Sequence, residues 1–154
     1  MNRIPVIAID GPSGSGKGTV SRAVARELGW HFLDSGAIYR SLAVAVLKNG
    51  VNLDDVPAIV AIAEAMDLAF TADEPPAVVL NGANITADIA TEVCGNTASK
   101  IASIGPVRAA LLQKQKDFRK APGLVADGRD MGSVVFKDAD VKIYLTASAR
   151  VRAE

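Results

Sequence analysis

The sequence predicts an α/β fold, a three-layer α/β/α arrangement with a central parallel sheet and a small antiparallel β insertion. Three observations predict it. Apolar segments of strand length alternate with segments of helical periodicity along most of the chain. A glycine-rich turn joins the first strand to the first helix, which is typical of such folds. An Asn81-Gly82 turn then interrupts the alternation, and strands joined so tightly must be antiparallel.

The glycine-rich turn follows the strand Ile4–Ile9 and leads into a helix that starts near Lys17. Strand, glycine spacing, lysine and helix together match a P-loop, so the fold is expected to be of the P-loop NTPase type. Backbone N–H groups and the helix dipole would cradle a polyphosphate, and Lys17 would reach the β- and γ-phosphates of a nucleoside triphosphate. The residues predicted to bind these phosphates are Gly11, Pro12, Ser13, Gly14, Ser15, Gly16, Lys17, Gly18 and Thr19.

The sequence also predicts where a metal ion would be held. Gly18 stands where many P-loops carry the Ser or Thr that ligates Mg²⁺, and Thr19 offers a hydroxyl one position later. Asp127 ends the apolar segment Leu124–Ala126, as the acid of a Walker B strand does. We therefore expect Thr19 and Asp127 to hold Mg²⁺ through water. The alternative is that Asp127 only belongs to a turn with Gly128.

The first half of the chain is predicted to contain three helices. The first has apolar residues at helical spacing, Val20, Val24, Ala25 and Leu28, and closes at Gly29. The other elements expected before residue 67 are a strand at Trp30–Leu33, a helix reaching Leu47 with Asp34 and Ser35 at its start, and a helix capped by Asp54 or Asp55.

An antiparallel insertion is predicted from about residue 67 to 89. Its expected strands are Leu68–Thr71, Val78–Leu80 and Ala83–Thr86. Beyond it the sequence predicts helices at Thr91–Ser103 and Pro106–Arg119, strands at Gly123–Ala126 and Val141–Leu145, and a helix capped by Ser148.

Composition limits the classes of function. The 154 residues fit one domain, 1–154, and the 17 basic side chains equal the 17 acidic ones in number. This balance argues against a nucleic-acid partner or a membrane surface, and the N-terminus lacks the pattern of a signal peptide. Cys94 is the only cysteine, so no internal disulfide can form. A cytoplasmic location is expected, and His31, the only histidine, is predicted to be structural.

Three motifs together resemble those of bacterial cytidylate kinases, a group of nucleoside monophosphate kinases. They are Asp-Gly-Pro-Ser-Gly-Ser-Gly-Lys-Gly-Thr at 10–19, Leu-Asp-Ser-Gly-Ala-Ile-Tyr-Arg at 33–40 and Ala-Asp-Gly-Arg-Asp-Met-Gly at 126–132. The resemblance covers the whole chain, including the β-rich insertion. It implies a kinase core that transfers the γ-phosphoryl group of ATP to CMP or dCMP with Mg²⁺, giving ADP and CDP or dCDP.

The resemblance also implies roles for individual residues. Lys17, Asp127 and Arg129 correspond to catalytic positions. The positions expected to bind the acceptor nucleotide are Arg40 and Arg129 for its 5′-phosphate, Ser35 beside the nucleotide, and Ser99, Arg108 and Asp130 for the cytosine edge.

The family pattern further implies an arginine-bearing lid and a last strand beyond Glu154. The chain is therefore expected to be truncated at its C-terminus and poorly active alone, and the full-length protein is expected to be monomeric. Two alternatives stay open at this point. The chain could be a non-catalytic nucleotide-binding fragment, or a kinase for another small acceptor such as AMP, UMP or shikimate.

Overall fold

The computed structural model describes residues 4–12, 15–73 and 76–146. The chain divides into two compact units: unit 1 contains residues 1–35 and 116–154, and unit 2 contains residues 36–115. The helix predicted after Ser148 lies outside the described residues. Among the residues that are described, no helix is both long enough and apolar enough to cross a membrane.

Unit 1 contains a four-stranded parallel sheet. Its elements in chain order are β1 (Val6–Asp10), α1 (Lys17–Leu28), β2 (His31–Asp34), β6 (Leu124–Gly128), a π-helical turn (Met131–Val135) and β7 (Val141–Tyr144). The strand order is β2-β6-β1-β7, and every neighbouring pair is parallel. The predicted parallel central sheet is thereby confirmed.

The two middle strands form the core of unit 1. Val6, Ala8 and Ile9 of β1 are fully buried, as are the apolar residues Leu124–Ala126 of β6. Strands buried on both faces carry continuous apolar runs, which is why each segment stood out in the sequence. Asp127 of β6 pairs in register with Ile9 of β1 and with Asp34 of β2, so the carboxyl ends of all three strands meet at one edge.

Helix α1 differs in part from its prediction. It ends as expected at Gly29, which has φ 68° and donates its backbone N–H to the carbonyls of the last turn. However, Val20 is 41% exposed and Leu28 is 44% exposed, so of the four predicted apolar residues only Ala25 is buried. The buried residues of α1 are Ser21 and Ala25. Two small side chains let the helix backbone approach β6 closely, and this packing overrides the periodic pattern.

Unit 2 contains most of the helices and the antiparallel insertion. Helix α2 (Ser35–Lys48) begins at the boundary between the units. The other elements are α3 (Val56–Ala65), β3 (Leu68–Phe70), β4 (Val78–Leu80), β5 (Ala83–Asn84), α4 (Thr86–Ile89), α5 (Glu92–Ala102) and α6 (Gly105–Lys116). Helix α3 is capped by Asp55, whose side chain accepts from Ala58 N at 3.3 Å. Of the two residues predicted for this role, Asp55 performs it.

The antiparallel insertion is confirmed, in the strand order β3-β4-β5. Asn81 has φ 50° and Gly82 has φ 85°, the left-handed pair that a two-residue hairpin turn requires. The predicted third strand ends early, because Thr86 begins α4. The Asn84 side-chain oxygen accepts from Thr86 N at 2.9 Å, and this local bond turns the chain out of the sheet.

Candidate nucleotide-binding site

The P-loop connects β1 to α1 in unit 1, and Ser13 and Gly14 of this loop lie outside the described residues. Gly11 must be glycine, because a Cβ there would lie 2.5 Å from the Leu145 carbonyl oxygen. Gly16 has φ 80° and ψ 8° and is the N-cap residue of α1, and a glycine has no side chain that could cap the helix. The first N–H groups of α1 therefore need an acceptor from outside the helix, which a phosphate can provide.

Lys17 and Asp127 form an ion pair at the mouth of this loop. The Lys17 ammonium lies 3.0 Å from Asp127 Oδ1, and the side chains are 21% and 3% exposed. Asp127 Oδ1 is nevertheless a buried oxygen that accepts no well-oriented hydrogen bond. The carboxylate thus keeps a lone pair available in a site that water hardly reaches.

Burial dominates the electrostatics of Asp127. It raises the pKa of this carboxyl, while the positive charge of the neighbouring Lys17 ammonium lowers it. Asp34, at the end of β2, raises the pKa of Asp127 further, and Arg22 lowers it. Because burial disfavours the charged form of this carboxyl, additional positive charge would stabilise that form, and a divalent cation would provide such charge.

Gly18 explains how the loop accommodates these groups. A Cβ at this position would lie 3.6 Å from Asp127 Oδ2 and 3.2 Å from Arg22 Nη1. Because residue 18 is glycine, the backbone of the first turn of α1 lies close to the Asp127 carboxylate. Many P-loops have a Ser or Thr side chain at this position instead. Arg22, four residues further along α1, was not identified from the sequence. Its one signal was a basic residue one turn beyond Gly18.

The segment after β6 carries two more of the predicted residues. Arg129 and Asp130 are both exposed, and the π-helical turn Met131–Val135 follows them directly. Asp10, the last residue of β1, is 8% exposed and accepts from Met131 N at 2.7 Å and from Gly132 N at 2.9 Å. Sequence reasoning missed Asp10. The available signal was an acid at the end of a buried strand, next to the glycine-rich loop.

Ser35 also belongs to unit 1 and is buried at the first position of α2. Its Cβ lies 3.1 Å from where a Cβ added to Gly128 would stand, so a larger residue at 128 would crowd Ser35 at the end of β6. Within unit 1, the structure thus brings Lys17 into contact with Asp127 and holds Ser35 against the start of the Arg129–Asp130 segment.

The remaining predicted residues, Arg40, Ser99 and Arg108, lie in unit 2. Arg40 Nη1 donates to the Ile89 carbonyl oxygen at 2.8 Å, and its guanidinium lies 3.3 Å from where a Cβ on Gly95 would stand. The Arg40 carbonyl accepts from the buried Cys94 thiol at 3.2 Å. Arg40 is thereby fixed against the start of α5. Ser99 on α5 and Arg108 on α6 are exposed.

These features define the class of protein. A strand, a glycine-rich loop and an uncapped helix, with a lysine paired to a buried acid on the neighbouring strand, form a P-loop nucleotide-binding site.

Comparison with known proteins gives the family. Residues 7–154 match the family model described as cytidylate kinase. The cytidylate kinase of Methylococcus capsulatus is 61% identical over 153 residues, which cover 99% of this chain and 69% of that protein. Those of Edwardsiella ictaluri and a Marinomonas species are 56% and 54% identical, over 97% and 100% of this chain and 67% and 69% of theirs. The chain belongs to the cytidylate kinase family, and it spans about two thirds of the length of these relatives.

Proposed function

We propose that this protein is a nucleoside monophosphate kinase that transfers the γ-phosphoryl group of ATP to the 5′-phosphate of CMP or dCMP. A phosphate oxygen of the acceptor forms the new P–O bond, the bond between the γ-phosphorus and the bridging oxygen breaks, and ADP leaves. The observation that carries the proposal is the Lys17–Asp127 pair beside an uncapped helix N-terminus, in a chain of the cytidylate kinase family.

The P-loop would bind the donor. In the structure Lys17 is paired with Asp127, and a triphosphate in the loop offers the ammonium a more highly charged partner. In that position Lys17 stabilises negative charge that builds up on the β,γ-bridging and γ-oxygens in the transition state. Phosphoryl transfer needs little covalent help from the protein, so this positioned charge is the main contribution of the loop.

The residues also fit a magnesium ion. Mg²⁺ prefers oxygen ligands, keeps several waters, and is usually bound through one or two carboxylates together with substrate phosphates. Asp127 offers a buried oxygen without a hydrogen bond, and the exposed Thr19 offers a hydroxyl on the first turn of α1. We infer that these two residues hold the ion through water. When bound, Mg²⁺ neutralises charge on the phosphate oxygens of the nucleotide.

The acceptor-binding roles are proposed from the family motifs, with support from each unit separately. In unit 2, the hydrogen bond to the Ile89 carbonyl fixes the position of the Arg40 guanidinium, and a phosphate ligand requires such positioning. In unit 1, Arg129 supplies a second cation for the 5′-phosphate and takes part in catalysis, and Ser35 lies beside the nucleotide. The side chains proposed to recognise the cytosine edge are those of Ser99, Arg108 and Asp130.

The chemistry of cytosine explains this last choice. Its edge presents two acceptors and one amino donor, which a hydroxyl, a guanidinium and a carboxylate can satisfy together. Uracil would instead turn a carbonyl oxygen toward the carboxylate, leaving both acceptors without a donor. We propose that the protein acts on these small molecules as a monomer in the cytoplasm, where its only cysteine stays reduced.

A coupled ADP-release assay on the full gene product tests the proposal. We expect CMP and dCMP to give the fastest turnover in a panel that also contains AMP, UMP, GMP and shikimate. Faster turnover with any acceptor without cytosine would refute the substrate assignment. ATP binding without ADP release with any acceptor would favour a non-catalytic nucleotide-binding role instead.

A further inference from the structure

Asp10 makes two buried hydrogen bonds that link the end of β1 to the segment after β6. Its Oδ1 accepts from Met131 N at 2.7 Å and its Oδ2 accepts from Gly132 N at 2.9 Å. We propose that Asp10 is a positioning residue for the acceptor site, because it holds the turn that carries Arg129 and Asp130. The inference rests on the acceptor-binding roles proposed above for those two residues.

Asp10 accepts the hydrogen bonds that the Asp130 side chain would otherwise accept as the cap of the turn. Asp130 stands immediately before the π-helical turn, where an aspartate side chain usually accepts from the first N–H groups of the helix. Its side chain makes no such capping bond. The N–H groups of the first two residues of the turn are instead satisfied by Asp10. The Asp130 carboxylate is therefore not used up in capping, and it remains exposed.

The segment that carries Arg129 and Asp130 is bonded to β1 and to the loop after it at more than one point. Gly11 N donates to the carbonyl of Gly128 at 3.2 Å, and Gly128 is the residue immediately before Arg129. In the parallel sheet, Asp10 and Gly128 are register partners. On the other side of Asp130, its carbonyl accepts from Val134 N at 2.9 Å and from Val135 N at 3.2 Å. The Arg129–Asp130 segment is therefore held at both ends by backbone bonds and by the Asp10 carboxylate.

A carboxylate that is 8% exposed is costly to bury unless it is well bonded, and both of its oxygens are used here. Asparagine has the same shape but only one acceptor oxygen, so its amide N–H₂ would face one of the two backbone N–H groups. The turn would lose one of the two bonds, keep the other only as a neutral bond, and gain a donor–donor contact. The consequence should appear at Asp130, because that residue depends on the turn for its position.

The experiment compares Asp10→Asn with Asp140→Asn in the full gene product. Asp140 is a matched control, because its Oδ2 accepts from Val6 N at 2.9 Å at the opposite end of the same strand. For Asp10→Asn we expect kcat/KM for CMP to fall about tenfold or more, the usual effect of losing a hydrogen bond to a charged group. The KM for ATP should stay near that of the parent protein. Asp140→Asn should leave the CMP-to-UMP ratio of kcat/KM unchanged.

A double-mutant cycle with Asp130→Ala separates positioning from general damage. If Asp10 acts through Asp130, Asp10→Asn should lower the CMP-to-UMP ratio of kcat/KM in the otherwise unchanged protein. The same substitution should leave that ratio unchanged in the Asp130→Ala background. If Asp10→Asn changed the CMP-to-UMP ratio equally with and without Asp130→Ala, the proposal would be overturned. A larger effect on the KM for ATP than on CMP would also overturn it, since Asp10 would then act through the P-loop.

Amide hydrogen exchange of Met131 and Gly132 gives a readout that does not depend on catalysis. We expect both amides to be protected in the parent protein and to exchange faster in Asp10→Asn but not in Asp140→Asn. Unprotected amides in the parent would overturn the inference even if Asp10→Asn failed to fold. If the parent shows no preference for CMP over UMP while the exchange pattern holds, the proposed acceptor role fails and the capping by Asp10 stands.

Discussion

The buried Asp127 allows a test in which two physical effects predict opposite results. The perturbation is Asp127→Asn, which keeps the shape of the side chain and removes its charge. At the observed 3.0 Å from Lys17, Coulomb attraction at an effective dielectric constant of about 20 is worth roughly 5 to 6 kcal/mol. Desolvation of a buried carboxylate costs several kcal/mol, so the two effects are of similar size.

The direction of the pKa shift of Asp127 indicates which is larger, the attraction to Lys17 or the cost of desolvation. The pKa of Asp127 lies above the usual 3.8 even with Lys17 in contact, with burial as the largest cause. The folded protein therefore favours the neutral form more than the unfolded chain does, and asparagine mimics that form. We expect Asp127→Asn to raise the free energy of unfolding at neutral pH by on the order of 1 kcal/mol, typical of a stabilising change at a functional site.

The pH dependence follows from the same shift. As pH falls through the raised pKa, the folded wild type binds a proton before the unfolded chain does, so its stability increases. Below 3.8 both states are protonated and the gain is complete. The difference in the free energy of unfolding between Asp127→Asn and the wild type should therefore be largest at neutral pH and vanish in acid.

Urea unfolding followed by Trp30 fluorescence measures this directly. Trp30 is the only tryptophan and packs over Gly123 in unit 1, the unit that contains Asp127. Asp138→Asn is the control, because Asp138 is 53% exposed and paired with Arg119. Removing the charge of Asp138 should change the free energy of unfolding by less than about 1 kcal/mol. A loss of roughly 3 to 5 kcal/mol for Asp127→Asn, as expected when a buried pair is simply broken, would refute the reasoning.

Further predictions concern catalysis by the full gene product. Lys17→Ala should lower kcat by about 100-fold or more while changing the KM for CMP less, because a preorganised charge acts mainly on the transition state. Single-turnover kinetics check this. A kcat within a few-fold of the parent would contradict the assigned role. Arg40→Ala should weaken CMP, dCMP and UMP alike in equilibrium binding, since a phosphate contact reads no base. Asp130→Ala should weaken CMP most and narrow its advantage over UMP by on the order of 1–3 kcal/mol; full discrimination in this variant would remove Asp130 from the base site.

Much of the fold could be predicted because local chemistry determines it. The Asn81-Gly82 turn, the cap at Asp55 and the end of α1 at Gly29 each depend on side chains or backbone angles within a few residues. The two buried strands were identifiable from their continuous apolar runs. Lys17 and Asp127 were both named as candidate site residues from their local sequence, and in the structure they lie 3.0 Å apart.

What the sequence could not reveal depends on packing between distant segments. Burial of Ser21 and exposure of Val20 and Leu28 depend on how closely α1 approaches the sheet. Asp10 contacts amides more than 120 positions away, and no local pattern predicts a cap supplied by another strand. The acceptor-binding roles were predicted from family motifs, and they remain predictions.

The most direct test of the central claim is a transfer experiment with γ-labelled ATP and an equimolar mixture of CMP and UMP. With the full gene product and Mg²⁺, we expect the label to appear in the β-phosphate of CDP, with little in UDP and little released as inorganic phosphate. Label found mainly in inorganic phosphate would make the protein an ATPase, and label found mainly in UDP would contradict cytosine recognition.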